Sequence, residues 1–215
     1  MKTHNAIETI KKVSLLFESK EKFAFTTYTR SAILSTIGEV KGDKKPPKAF
    51  IKPVLDGLQK QDYNFVKAIQ NDLVFSSVGK LKNSEISLKD VYDPAFLEHY
   101  INTNYDVFKT FFSWYVKNTK SIIVSFQTES FISKYFCAGS TYIQVPYNDF
   151  YSKVDSISDQ VLQASSNAEL CILDCPMLSA ALAPKIWDNS NMSIFDLGRT
   201  LNAARAIVKQ NDTKK

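Results

Sequence analysis

The order of apolar and polar residues predicts two differently patterned stretches of chain. In the first 120 residues, apolar positions recur at helical spacing, as at Ile7, Ile10 and Val13. From residue 121 onward, short apolar runs alternate with amphipathic segments, a pattern typical of βαβ units. The sequence therefore predicts one α/β domain over 1–215, with a helix-rich part over 1–120, a regular βαβ part over 121–209 and a flexible tail over 210–215.

The elements can be predicted with bounds. In the first part, we predict helices over 7–18, 30–37, 50–61 and 63–71, strands over 23–28 and 73–78, and loops over 40–47 and 79–90. In the regular part, we predict strands over 121–126, 142–145, 170–173 and 193–195, and helices over 129–136, 149–164, 177–187 and 200–210, with Pro184 as a kink or an early stop. The predicted fold class is α/β, with a Rossmann-like, mostly parallel sheet flanked by helices.

The segment 94–117 between these parts is rich in aromatic residues. It contains Phe108, Phe111, Phe112 and Tyr115 at i, i+3, i+4 and i+7, the spacing of one buried helical stripe. A platform on which nucleic-acid bases stack is the alternative. The periodicity favours core packing.

Polar residues follow five of the predicted strands. In open α/β sheets, ligands bind at the carboxyl ends of parallel strands, so these residues are expected to line one cleft. They are Thr29, Arg30 and Ser31; Gln127, Thr128, Glu129 and Ser130; Asn148 and Asp149; Asp174 and Ser179; and Asp196 and Arg199. Thr128, Asn148 or Asp149, and Asp196 would also suit helix caps or turns. Helix N-termini at such a cleft favour an anionic ligand such as a pyrophosphate.

The net charge of +5 and the sequence pI near 8.9 add a hint about partners. Lysines crowd one segment, namely Lys41, Lys44, Lys45, Lys48 and Lys52. This balance suits a polyanion or a phosphate-bearing ligand, and a solvated surface loop is the alternative. We take Lys44, Lys45 and Lys48 as candidate contacts to an acceptor, so nucleic acid is a candidate partner.

Composition and the N-terminal segment predict the cellular compartment of the protein. No run of roughly 18–20 apolar residues would cross a membrane, and the charged N-terminal segment does not match a signal peptide. The three cysteines are too few and odd in number for a disulfide framework. The sequence thus predicts a reduced, cytoplasmic protein without a membrane partner, in the host cytoplasm if it is viral.

Several common chemistries lack their motifs. The sequence contains no Walker A phosphate loop, no G-x-G-x-x-G turn and no G-x-S-x-G nucleophile elbow. His4 and His99 have no zinc-like spacing to another ligand, and Cys171 and Cys175 lie on either side of a predicted strand end. Hydrolase and dehydrogenase functions are therefore unsupported, and no residue is assigned as a metal ligand.

The regular part resembles the C-terminal half of GT-D-type glycosyltransferases over about 90 residues. The resemblance is carried by the runs YIQVPYNDFYSKVDSISDQVL, ELCILDCPMLSAALAPKI and SIFDLGRTLN. It implies a small Rossmann-like enzyme that transfers a sugar from a nucleotide-sugar donor to an acceptor hydroxyl. The acceptor would be a hydroxymethylated DNA base, as for bacteriophage base-modifying enzymes, or a glycan or protein.

One motif of the family is absent. Its members have an Asp-x-Glu motif after the first strand, and the corresponding acids are replaced by Arg30 and Ala32 in FTTYTRSA. Since divalent cations prefer oxygen ligands, dependence on Mn²⁺ or Mg²⁺ is left open. Arg30 could neutralise the diphosphate itself, because a guanidinium matches phosphate geometry.

The glycosyltransferase hypothesis assigns a role to each strand-end residue. Glu129 or Asp149 is the general base. The donor contacts are Thr29, Arg30, Gln127, Asp174, Ser179, Asp196 and Arg199, with Arg30 and Arg199 on the diphosphate. The alternative hypothesis is a non-catalytic nucleotide- or nucleic-acid-binding module with a degenerate glycosyltransferase fold.

Overall fold

The computed structural model describes residues 1–38, 46–70, 86, 88–198 and 200–201. Eight strands are present in these ranges: β1 (Lys2–Thr3), β2 (Ala24–Tyr28), β3 (Phe65–Ile69), β4 (Asp90–Val91), β5 (Ser121–Ser125), β6 (Thr141–Gln144), β7 (Leu170–Asp174) and β8 (Ser193–Asp196). Six of them form one sheet in the order β3-β2-β8-β7-β5-β6, and every neighbouring pair is parallel. All carboxyl ends of this sheet therefore lie at one edge.

Helices connect the strands and cover both faces of the sheet, as parallel pairing requires. The described α-helices are α1 (Ala6–Ser19), α2 (Arg30–Thr36), α3 (Lys48–Gln59), α4 (Phe96–Thr103), α5 (Tyr105–Phe111), α6 (Glu129–Ile132), α7 (Val154–Ala164) and α8 (Ser179–Asn189). A π-helix (Phe112–Lys117) continues α5, and a 3-10 turn (Phe150–Lys153) precedes α7. None of the helices in the described ranges is long and apolar enough to cross a membrane.

The two faces of the sheet pack against different kinds of side chain. Along β7, Cys171 and Leu173 join the core with α2, α3, α7 and α8, whereas Leu170 and Ile172 join the core with α1, α4, α5 and α6. The first face is aliphatic and close-packed: Gly57 of α3 lies against Tyr28 and Pro184, so that a Cβ there would come within 2.3 Å of the Tyr28 Oη. The second face is filled by phenylalanines, which confirms the predicted core role of 94–117.

Two lysines, the buried Lys67 and the half-buried Lys22, stabilise helix ends near the amino ends of the strands. The Lys22 Nζ donates to the carbonyl oxygens of Trp187 (2.5 Å) and Ser190 (2.6 Å) at the end of α8. The Lys67 Nζ donates to the carbonyl oxygens of Leu58 (2.6 Å) and Lys60 (2.5 Å) at the end of α3. Carbonyls in the last turn have no intrahelical donor, so each ammonium satisfies two of them.

The structure corrects several predicted elements. The helix predicted over 63–71 is wrong: Phe65–Ile69 is β3, with all five residues buried and paired with β2. The helix predicted over 129–136 ends at Ile132, and that predicted over 149–164 becomes α-helical only at Val154. Pro184 neither ends α8 nor lies near its end, since the helix continues to Asn189. The predicted strand over 73–78, and most of the loops over 40–47 and 79–90 and of the helix over 200–210, lie outside the described residues.

Candidate active site

The carboxyl edge of the sheet collects buried polar side chains from neighbouring strands. Ser125 ends β5, Asp174 ends β7 and Asp196 ends β8, and Thr27 is the penultimate residue of β2. The register pairs Ser125 with Asp174 and Leu173 with Asp196, so the two acids end adjacent strands. All four of these side chains are buried. This group is the candidate active site.

Asp196 is fixed by the backbone around it. Its Oδ2 accepts the Thr27 N–H at 2.9 Å, and its Oδ1 accepts the Gly198 N–H at 2.9 Å. Gly198 has φ +58, the left-handed conformation that a glycine adopts without strain. Burial raises the pKa of Asp196 to about 6, while the two N–H donors and the nearby Ser179 hydroxyl favour the charged form. The carboxylate thus joins β2 to the turn after β8.

Asp174 is bonded at one oxygen only. Its Oδ2 accepts the Ser125 hydroxyl at 2.6 Å, and no residue in the described part of the chain donates to its Oδ1. Burial raises the pKa of Asp174 to about 7, the Ser125 hydroxyl lowers it, and the neighbouring Asp196 raises it. Asp174 is therefore a buried acid that titrates near neutral pH and keeps an oxygen for a ligand.

The loop after β5 is attached to this acid. The Ser125 Oγ accepts the Gln127 N–H at 2.9 Å, and the Tyr142 hydroxyl of β6 donates to the Gln127 carbonyl oxygen. Burial raises the pKa of Tyr142 to about 12, with further contributions from the charges of Asp174 and Glu129. Tyr142 thus lies close to both acids.

The two predicted bases lie on loops at this edge. Glu129 is exposed and begins α6, directly after Thr128, which occupies the N-cap position without a side-chain cap bond. Asp149 is exposed in the loop after β6, with φ 55, and its Oδ2 accepts the Ser152 hydroxyl at 2.7 Å. Their predicted catalytic role stays a prediction.

The remaining predicted donor contacts have structural partners or lie at the surface. The Thr29 hydroxyl caps α2 by accepting the Ala32 N–H at 3.3 Å. Ser179 is fully buried, and its hydroxyl donates to the Cys175 carbonyl oxygen at 3.1 Å. Arg30 is exposed and forms no ion pair with any residue that the structure describes.

The predicted acceptor contacts lie at the start of α3 or outside the described ranges. Lys48 is exposed at the start of α3. Lys44, Lys45 and Arg199 lie outside the described residues.

The sequence did not single out Thr27, Ser125 or Tyr142. Each lies within a predicted strand rather than after it, and a search of the residues that follow strands passes over them. The sequence feature that could have identified them is a hydroxyl side chain within an apolar run, such as Ser125 in SIIVSF. The Thr27 hydroxyl is also buried and bonds to no described residue.

The donor set of this edge does not suit a divalent cation. Mg²⁺ and Mn²⁺ need several hard oxygen ligands. Both Asp196 oxygens already accept backbone N–H groups, and no three His, Cys, Asp or Glu side chains converge anywhere in the described ranges. The described residues do not fit a metal, and no step through one is derived.

Comparison with known proteins relates this fold to glycosyltransferase structures. A structure described as a new glycosyltransferase (DUF1792) from Streptococcus sanguinis matches with a TM-score of 0.73 and 10% identity, over 98% of this chain and 85% of that one. A DUF1792 structure described as a distinct glycosyltransferase fold has a TM-score of 0.66 and 14% identity, over 98% and 82%. A selenomethionine-substituted DUF1792 structure has a TM-score of 0.69 and 14% identity, over 98% and 82%.

At these identities the likeness is one of fold. No family model matches the sequence, and no curated protein does. The predicted α/β class and the predicted resemblance to a glycosyltransferase fold are confirmed.

Proposed function

We propose that this protein is a glycosyltransferase that binds a nucleotide-sugar donor at the carboxyl edge of its sheet. The observation that carries the proposal is Asp174, a buried acid whose Oδ1 accepts from no described residue, at this edge of a fold shared with glycosyltransferase structures. Ligands of open α/β sheets bind at this edge. Asp196 has both oxygens bonded to the backbone, so Asp174 is the acid that would contact the donor.

The reaction transfers one sugar. An oxygen of the acceptor hydroxyl forms a bond to the anomeric carbon, the bond from that carbon to the diphosphate breaks, and the nucleoside diphosphate leaves. A general base takes the hydroxyl proton. Glu129 or Asp149 would take this role, because both are exposed on loops at this edge of the sheet. Arg30, at the start of α2, would offset the charge of the diphosphate.

For the acceptor we propose a hydroxymethylated DNA base, with a glycan as the alternative. The support is the net charge of +5 and the lysine-rich segment that leads into α3, of which Lys48 is exposed. Contacts from lysines to phosphates release counterions, so binding to DNA should weaken steeply as salt rises. DNA binding that is absent or insensitive to salt would remove this acceptor and leave the glycan. The cytoplasmic location stays a prediction of the sequence.

The test measures turnover of UDP-, GDP- and CMP-sugars with and without Mn²⁺. Release of the nucleotide is the signal that is monitored. We expect release from one donor class, together with a thermal shift on adding its nucleoside diphosphate. A thermal shift without turnover would support the second candidate, a non-catalytic nucleotide-binding module, which the replacement of the family's acids by Arg30 and Ala32 favours. If no donor is turned over and no nucleotide shifts the melting temperature, both the glycosyltransferase and the nucleotide-binding module are contradicted.

A further inference from the structure

A chain of hydrogen bonds at the carboxyl edge holds the backbone of Gln127 on both sides of its Cα. The Gln127 N–H, in the peptide group that follows Phe126, donates to the Ser125 Oγ at 2.9 Å. The Gln127 carbonyl oxygen, in the next peptide group, accepts the Tyr142 hydroxyl. The same Ser125 hydroxyl donates to Asp174 at 2.6 Å. The backbone of Gln127 is thus tied to β5, β6 and β7, and we refer to Ser125 and Tyr142 as the peptide clamp.

The helical end of the loop that the clamp holds is anchored on one side only. Ile132, at the end of α6, is buried in the core, whereas Glu129 at its start is exposed. Thr128 makes no side-chain cap bond to α6, which is only four residues long, and an uncapped short helix is weakly stable on its own. The position of Glu129 therefore depends on the clamped backbone two residues earlier as well as on the buried Ile132.

The same loop also contacts the next one. Phe126 stacks on Tyr147, with ring centroids 5.5 Å apart, and packs edge-to-face on Phe150 at 5.6 Å. Asp149 lies between those two aromatic residues in the chain. The clamp is thereby connected to both loops that carry a candidate base.

We propose that Ser125 and Tyr142 are positioning residues of the donor site, which fix the backbone of Gln127 and through it the loops of Glu129 and Asp149. This rests on the proposed glycosyltransferase function. Neither clamp hydroxyl needs to touch the substrate. The two residues determine the position of the base relative to the acceptor. Displacement of the base lowers kcat more than it weakens binding of the donor.

The test compares Ser125→Ala and Tyr142→Phe with two matched controls. Ser121→Ala removes a buried hydroxyl from the other end of β5, where it donates to the Thr119 carbonyl. Tyr115→Phe removes a hydroxyl that donates to Glu18, away from this edge. Amide exchange at Gln127 by NMR, kcat, the donor KM and the free energy of unfolding are measured for each.

For the clamp variants we expect the Gln127 amide to lose protection roughly ten-fold and kcat to fall roughly ten-fold, the effect of about one hydrogen bond. The donor KM should stay within about two-fold. The two controls should leave exchange and kcat unchanged.

Two results would overturn the proposal. Unchanged protection of Gln127 would show that the clamp does not hold the loop, and lost protection with unchanged kcat would show a merely structural role. If the wild-type protein turns over no donor, the proposed function fails and the positioning role fails with it, while amide exchange still decides whether the clamp exists.

Discussion

Ionisable side chains lie at both ends of the parallel strands, but they differ in how many hydrogen bonds the protein makes to them. At the amino ends, Lys22 and Lys67 each donate to two carbonyl oxygens at a helix end. At the carboxyl edge, Asp196 is bonded at both oxygens, whereas Asp174 is bonded at one. Burial shifts the pKa of each lysine downward and that of each acid upward.

This difference separates a structural buried charge from a functional one. A group whose bonds are all made by the protein has a sufficient reason to be buried, because the protein replaces the hydrogen bonds of water. Asp174 differs, because no described residue donates to its Oδ1, so that oxygen is left for water or a ligand.

The largest expected effect is on the pH dependence of stability. Asp174 has a native pKa near 7 instead of its usual 3.8, so between these values the native state binds the proton more tightly than the unfolded state. The unfolding free energy of the wild type should therefore fall as pH rises from about 4 to 7, by roughly 4 kcal/mol from this group.

Urea unfolding of the wild type and Asp174→Asn at pH 5 and pH 8 measures this slope. In the variant, the contribution of Asp174 to the pH dependence of the unfolding free energy should be lost. The smaller contribution of Asp196, whose native pKa of about 6 acts in the same direction, should remain. Equal slopes for the two proteins would mean that Asp174 is not strained by its burial.

Turnover should depend on the same acid. Asp174→Asn keeps the shape of the side chain and removes its charge, so we expect kcat/KM for the donor to fall about 100-fold, the loss of a charged contact and its orientation. Asp188→Asn is the control, because Asp188 pairs with Lys60 at the amino end of the sheet, at 2.6 Å. Equal activity of both variants would place the donor elsewhere.

Removal of a satisfied lysine should affect stability alone. Lys67→Met leaves the Leu58 and Lys60 carbonyls without their donor, and we expect a loss of about 2 kcal/mol in unfolding free energy. The exposed Lys109 of α5, replaced in the same way, serves as the control. A lower kcat per folded molecule of Lys67→Met would contradict the assignment of a structural role to the amino ends and a catalytic role to the carboxyl edge.

The smallest effect concerns the exposed cation at the carboxyl edge. Arg30→Gln should weaken binding of a nucleoside diphosphate roughly ten-fold at low salt and less at high salt, because an exposed guanidinium is screened. Calorimetric titration measures this, with Lys52→Gln on α3 as the control. Unchanged affinity would remove Arg30 from the donor site.

The sequence allowed the sheet elements and part of the site to be predicted, and β3 shows where this approach failed. A parallel strand buried on both faces lacks the alternation that identifies a strand. Lys67 lies in the centre of β3, and its ammonium reaches the carbonyl oxygens of Leu58 and Lys60 at the end of α3. These residues precede Lys67 by nine and seven positions, a separation that matches neither the helical nor the strand period.

The site was predicted as a set of residues without its internal arrangement. Asp174 and Asp196 were identified because they end strands. The hydroxyls of Ser125 and Tyr142 could not be assigned, because their partners follow from the order of strands in the sheet. Only that order places β8 between β2 and β7, and so brings Thr27 to Asp196.

The position of β8 also has a consequence for synthesis of the chain. β8 follows all the other described strands in the sequence, yet it lies between β2 and β7. Until residues 193–196 have left the ribosome, the earlier strands can form only two separate pieces, β3-β2 and β7-β5-β6, each with an open edge. Closing them requires contacts across about 170 residues, such as Thr27 with Asp196. The nascent protein should therefore remain open to proteases and chaperones until β8 has been translated and released.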